Sequence, residues 1–140
     1  MGNINIGRVV LGGLLAGLVL NIGEFLLNDF VLGPQMKEFL TRHNFAEPGN
    51  HFMFVAVGLT FVMGIVLVLG YACIRSRFGA GVKTAIIAGL LAWFGVYFYS
   101  GVINGVLFGI PMNTMIIVIV WGLVEYAVAA IAGAWLYKEA

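Results

Sequence analysis

Four long apolar runs, about Val9 to Leu32, Phe52 to Ile74, Thr84 to Phe108 and Met115 to Tyr137, take up most of the sequence. Each is close to the ~20 residues that a helix needs to cross ~30 Å of hydrocarbon. In lipid the backbone amides must find partners within their own segment, so such runs fold as helices. The expectation is an all-α fold: one transmembrane domain over residues 1–140 with four spanning helices. The first run is longer than the roughly 7 to 15 apolar residues of a signal peptide and is expected to persist as a helix.

Composition agrees with lipid as the solvent. Of 140 residues 62% are apolar and 9% charged, whereas about a quarter of a soluble domain's residues are charged. A net charge of +1 leaves no basic stripe for phosphates, which argues against a nucleic-acid partner. The single cysteine, Cys73, can form no internal disulfide and belongs to no CxxC motif. No HExxH, nucleophile motif or glycine-rich phosphate loop occurs, so an enzyme is not expected.

Lys and Arg set the expected orientation. Arg8, Arg75, Arg77, Lys83 and Lys138 fall at one end of a four-span arrangement, against Lys37 and Arg42 at the other. By the positive-inside rule both termini should be cytoplasmic. Between the first two spans, "GPQMKEFLTRHNFAEPGNH" places Met36, Phe39 and Leu40 at helical spacing beside Lys37, Glu38 and Arg42. That pattern predicts a short amphipathic helix lying on the membrane surface in the first outer loop.

Shifting the sequence by 76 positions lays Leu11 to Gly33 on Ile87 to Gly109 without a gap. Gly13, Leu14, Leu15, Ala16, Asn28 and Gly33 then meet Gly89, Leu90, Leu91, Ala92, Asn104 and Gly109. The reading is two hairpins as parallel repeats, about residues 8–77 and 84–138, related by a pseudo-two-fold axis along the membrane normal.

The stretch "GLVLNIGEFLLND" carries Asn21, Glu24 and Asn28 in an otherwise apolar run. Gly13, Gly17, Asn21, Glu24 and Asn28 step by three or four and share one helix face. In the third run Tyr97, Gly101 and Gly105 share a face with Ser100 and Asn104 beside it; in the fourth, Trp121, Glu125, Ala129 and Gly133 step by four. Gly13 with Gly17, Gly101 with Gly105, and Ala129 with Gly133 have the small-residue spacing that lets helix backbones approach in lipid.

Glu24 and Glu125 are the anomaly. At a rise of ~1.5 Å per residue they lie ~12 and ~15 Å below the same end of their helices. No Lys, Arg or His occurs in mid-span to pair with them. A charged acid at mid-bilayer costs about 2.5 to 3.5 kcal/mol on insertion scales, which favours the neutral form. Each acid should therefore face the protein and have a polar neighbour, drawn from Asn21, Asn28, Tyr97, Ser100 and Asn104. Three uses are open: a polar clasp between helices, a proton or cation path, or a site for a lipid, quinone or pigment walled by Trp93, Phe94, Tyr97, Phe98 and Tyr99. The sequence names no cofactor. His43, Glu47 and His51 are spaced as metal ligands on a helix would be, but Pro48 and Gly49 interrupt that helix, so no metal site is expected.

Through "LGGLLAGLVLNIGEFLLN", "WGLVE" and "GAWLYKE" the chain resembles small four-span bacterial membrane proteins of undefined activity. The resemblance implies a bacterial inner-membrane location and no chemistry. The combined expectation is a non-enzymatic assembly or accessory subunit, partnered by lipids and by other membrane subunits or itself. The alternatives are a small proton- or cation-dependent transporter using Glu24 and Glu125, and a cofactor binder.

Overall fold

The computed structural model describes residues 3–139, and among them the ordered elements are five helices and no strand. They are α1 (Ile6–Val31), α2 (Gly33–Arg42), α3 (Asn50–Phe78), α4 (Val82–Phe108) and α5 (Met112–Leu136). All except α2 are long and apolar enough to cross a membrane. Their outward faces are hydrocarbon, with Phe54 80% and Trp135 78% exposed, which suits lipid and not water.

Local chemistry sets the ends. Asn5 Oδ1 accepts from Arg8 N at 3.1 Å and caps the start of α1. Arg75 and Arg77 occupy the last turn of α3, where the helix dipole favours cations. Gly79 (φ 83°) and Gly81 (φ 126°) make the turn into α4. Gly109, at φ 63°, ends α4 in the left-handed conformation that glycine adopts without a Cβ penalty.

The four spans form an up-and-down bundle: α1 packs on α3 and α5, and α4 packs on α5 and more lightly on α3. The start of α1, the end of α5 and the α3–α4 turn therefore share one end, called here the terminal end; α2 and the α4–α5 turn share the other, the loop end.

At the terminal end the backbones touch. A Cβ built on Gly13 would lie 2.9 Å from Ile65 N, and one on Gly17 2.8 Å from Phe61 Cα. A Cβ on Gly133 would lie 2.9 Å from Gly12 O and 3.1 Å from the Ala16 Cβ. Ala16 and Ala129 are fully buried between them. Close approach of this kind replaces the hydrophobic drive that lipid does not supply. The polar groups here are used: Thr84 Oγ1 donates to Gly79 O at 2.7 Å, and the Tyr71 hydroxyl accepts from Gly81 N at 3.1 Å.

Nearer the loop end two spans change pitch. Leu26–Val31 of α1 and Phe94–Tyr99 of α4 are π-helical. In each region a polar side chain takes a backbone carbonyl: Asn28 Nδ2 donates to Glu24 O at 2.8 Å, and Ser100 Oγ donates to Gly95 O at 3.0 Å. Side-chain insertion into the hydrogen-bond ladder is a recognised cause of such local widening. The two hairpins differ here, since a shift of 76 maps the α4 segment onto residues 18–23, which are ordinary α-helix.

Candidate functional site

The π segment of α4 directs Tyr97 into the bundle, where it is 7% exposed. Its ring lies flat against Gly122 of α5, whose missing side chain leaves the space it fills. The Tyr97 hydroxyl is hydrogen-bonded to Glu24 Oε1 of α1 and lies 3.4 Å from Glu125 Oε2 of α5. Three helices thus meet at one phenol.

Each acid has its own surroundings. Glu24 is half-buried, and its second oxygen accepts from Asn28 Nδ2 at 3.1 Å. Glu125 is 6% exposed, and its side chain rests on the backbone of Gly23, where a Cβ would come within 2.7 Å of Glu125 Cδ. The Trp121 indole N–H, one turn away, donates to Gly23 O at 3.2 Å and ties α5 to α1 beside the acid. Trp93 does the same between α4 and α5, donating to Ile119 O at 2.8 Å.

The Tyr97 hydroxyl has one hydrogen for two carboxyl oxygens, so it can donate to only one acid, and the other contact is a hydrogen bond only if that acid is protonated and donates to the phenol oxygen. Glu24 also accepts from Asn28. Glu125 Oε1 remains: among the described residues it is the buried side-chain oxygen with no hydrogen-bond partner.

Of the polar residues singled out from the sequence, the structure brings Glu24, Asn28, Tyr97 and Glu125 together. Asn21 instead donates to Gly17 O of its own helix at 2.9 Å. Asn104 donates to Ser100 O at 2.8 Å, and Ser100 bonds Gly95 O, so both serve the α4 backbone rather than the acids. Among the small residues, Gly13, Gly17, Ala129 and Gly133 lie in the tight terminal contacts, and Gly105 receives the Met115 side chain. Gly101 is looser, its nearest neighbour being Ile119 Cγ1, 3.8 Å from a built Cβ. Of the aromatic run, Trp93 and Tyr97 turn inward, whereas Phe94, Phe98 and Tyr99 are 41 to 61% exposed.

Gly23 and Gly122 were not legible as site residues, because each acts by admitting a side chain from another helix. Gly64 lodges against the Gly13 and Gly17 backbones. The spacing of Gly122 from Glu125 on one helix was the available signal for its role, and it points nowhere without knowing where Tyr97 lies. The His43, Glu47 and His51 set is split: His43 caps the end of α2, Glu47 lies in the loop and His51 is in the first turn of α3. His43 Nδ1 lies 2.9 Å from Phe39 O, and its ring centroid is 4.4 Å from that of Phe39.

Two concavities flank the acids. A cleft of about 400 Å³ near the loop end is lined by Glu24, Asn28, Ser100 and Asn104, with Met36 of α2 at its edge. A second, of about 690 Å³, is an apolar groove between α1 and α5 that reaches Glu125. Glu24 and Tyr97 line the first cleft and Glu125 lines the second groove. Four apolar helices around a carboxyl, phenol and carboxyl chain make this a small multi-pass membrane protein, and comparison with family models, curated proteins and solved structures finds no match from which a residue role could be carried over.

Proposed function

We propose that the protein handles protons or cations in the bacterial inner membrane through Glu24, Tyr97 and Glu125, as a small non-enzymatic transporter, in preference to the purely structural role that composition favours. The observation that carries this reading is the pair of unlike environments joined by Tyr97. Glu24 borders a cleft that also carries Asn28, Ser100 and Asn104 on a mostly apolar lining, while Glu125 is buried with Oε1 unpartnered. A clasp that served only packing would gain nothing from that oxygen, since a buried group without a hydrogen bond costs about 1 to 3 kcal/mol.

The closed terminal end favours a second element of the proposal. Because Gly12, Ala16, Ala129 and Gly133 pack without a passage, one bundle encloses no route across the membrane. It would work as a homo-oligomer or as a subunit of a larger membrane complex, surrounded by lipid. With the basic residues inside, both termini would be cytoplasmic and α2 would lie on the outer surface.

The test is flux in liposomes holding a pH-sensitive dye, under imposed proton, sodium and potassium gradients. Flux in the unaltered protein, lost in Tyr97→Phe at unchanged thermal stability, is the expected result. Absence of flux in the unaltered protein, with normal assembly of Glu24→Gln and Glu125→Gln, would return the site to a structural clasp. Native mass measurement after purification tests the assembly.

A further inference from the structure

We propose that the terminal end of the bundle is a binding surface for anionic phospholipid, with headgroup phosphates held by Arg8, Arg77, Lys83 and Lys138 and acyl chains lying along the apolar side chains beside them. Arg8 is in the first turn of α1, Arg77 in the last turn of α3, Lys83 in the first turn of α4, and Lys138 just past the end of α5. Because successive spans run in opposite directions, all four cations arrive at one end of the bundle, and all four are exposed. Their charge is not balanced from within the chain. Among the described residues Glu139 is the acid of this end, and it lies 3.6 Å from Arg75, whose guanidinium is also 5.5 Å from the Tyr137 ring centroid. Arg75 is thus engaged, and no carboxylate among the described residues is within salt-bridge distance of the other four. The loop end is different: Lys37 and Arg42 share it with Asp29, Glu38 and Glu47, and Arg42 is paired with Glu38 at 2.6 Å.

The neighbours of each cation choose among anions. Ile6, two residues from Arg8, Phe78, next to Arg77, Val82, next to Lys83, and Trp135, three residues from Lys138, are each more than half exposed. A soluble anion could meet the charges but would leave this hydrocarbon uncovered. An acidic phospholipid carries negative charge and hydrocarbon in one molecule, one above the other. Lys and Arg stems lie along apolar surface while their heads stay in the polar layer, tryptophan settles at the same boundary, and anionic headgroups attract basic residues at the ends of spans. This surface is at the opposite end of the bundle from the cleft that holds Glu24, so it stands or falls independently of the transport reading.

The test places the full chain in phosphatidylcholine nanodiscs, whose two leaflets are alike, so that the direction of insertion does not matter. A fixed fraction of the lipid is either phosphatidylglycerol or phosphatidylcholine dibrominated in the acyl chains, and bromine quenching of tryptophan fluorescence reports which lipid gathers at Trp135. Brominated phosphatidylglycerol is expected to quench as though enriched about threefold or more around the protein. The excess should vanish in Trp135→Phe, in the combined variant Arg8→Gln, Arg77→Gln, Lys83→Gln and Lys138→Gln, and in about 1 M KCl, where the screening length falls to ~3 Å. It should persist in Lys37→Gln with Arg42→Gln. Equal quenching by the two lipids, an excess that survives the combined variant or Trp135→Phe, or one lost in the loop-end pair would overturn the proposal. Exchanging chloride for inorganic phosphate at equal ionic strength should leave the enrichment unchanged; its loss would make these cations a site for free phosphate and equally overturn it. Should the combined variant fail to fold, the pairs Arg8→Gln with Lys138→Gln and Arg77→Gln with Lys83→Gln are measured separately. Each should remove part of the enrichment, and no loss in either pair would sink the idea.

Discussion

The two ends of the bundle solve the problem of packing in lipid in opposite ways. At the terminal end glycine and alanine bring backbones into contact, and Tyr71 and Thr84 are hydrogen-bonded. Arg75 lies 5.5 Å from the Tyr137 ring centroid and 3.6 Å from Glu139. Toward the loop end the spans carry π segments, the helices part around a cleft, and a buried carboxyl oxygen stays unpartnered. The same class of residue, glycine, does different work in each. Gly64 admits another backbone, which locks two helices. Gly23 and Gly122 admit side chains, Glu125 and Tyr97, which leaves groups that can exchange hydrogen bonds. A rigid end and an end with unsatisfied chemistry can coexist in four helices because packing contacts are local.

The comparison breaks most visibly at Gly64. A Cβ there would come within 2.7 Å of Gly17 Cα, backbone that cannot swing aside. Gly64→Leu should cost about 3 kcal/mol, the upper end of overpacking, and abolish monodisperse protein in size-exclusion chromatography. Gly13→Leu should behave similarly, whereas Gly7→Leu should not, since a Cβ at Gly7 meets only Asn5 Oδ1 at 3.5 Å. Equal losses at all three sites would contradict a locked terminal end.

Gly122→Ala probes the other end. Its Cβ would strike the Tyr97 ring, which can turn away, so a loss of about 1 to 2 kcal/mol is expected. Thermal unfolding followed by Tyr97-dependent flux should show a folded protein with the relay impaired; full flux would place Tyr97 outside the working path. On α3, Gly58 has nothing within 4 Å of a built Cβ. Gly58→Ala should raise stability by about 0.5 to 1 kcal/mol through helix propensity, and a fall in melting temperature would reveal a contact on that open face. Smallest is Glu38→Ala on α2. The Glu38 and Arg42 pair is 2.6 Å apart, yet both side chains are more than two-thirds exposed. A change under about 0.5 kcal/mol is expected, and a larger one would mean that α2 is held by charge.

Much of the architecture was legible because it depends on short-range pattern. Runs of apolar residues near the length of a bilayer crossing specify helices, and Gly33 with Pro34 marks the break before α2. The amphipathic spacing of Met36, Phe39 and Leu40 announced a helix, found over Gly33–Arg42; Phe39 and Leu40 are half-buried and Met36 borders the cleft. Glu24 and Glu125 stood out as acids without mid-span cations, and their similar depths brought them to one level.

What the sequence by itself determined is the class of protein, four spans and their alternation, because hydrocarbon allows an isolated segment only one backbone solution. Only the tertiary structure decided which polar groups met. Ser100 and Asn104 shared a helix with Tyr97 and were equal candidates by composition, yet they bond their own backbone while Tyr97 reaches both acids. That outcome depends on the π turn of α4 and on the absent side chains of Gly23 and Gly122 on two other helices. Those are distances between segments remote in the chain, and periodicity within one helix carries no information about them.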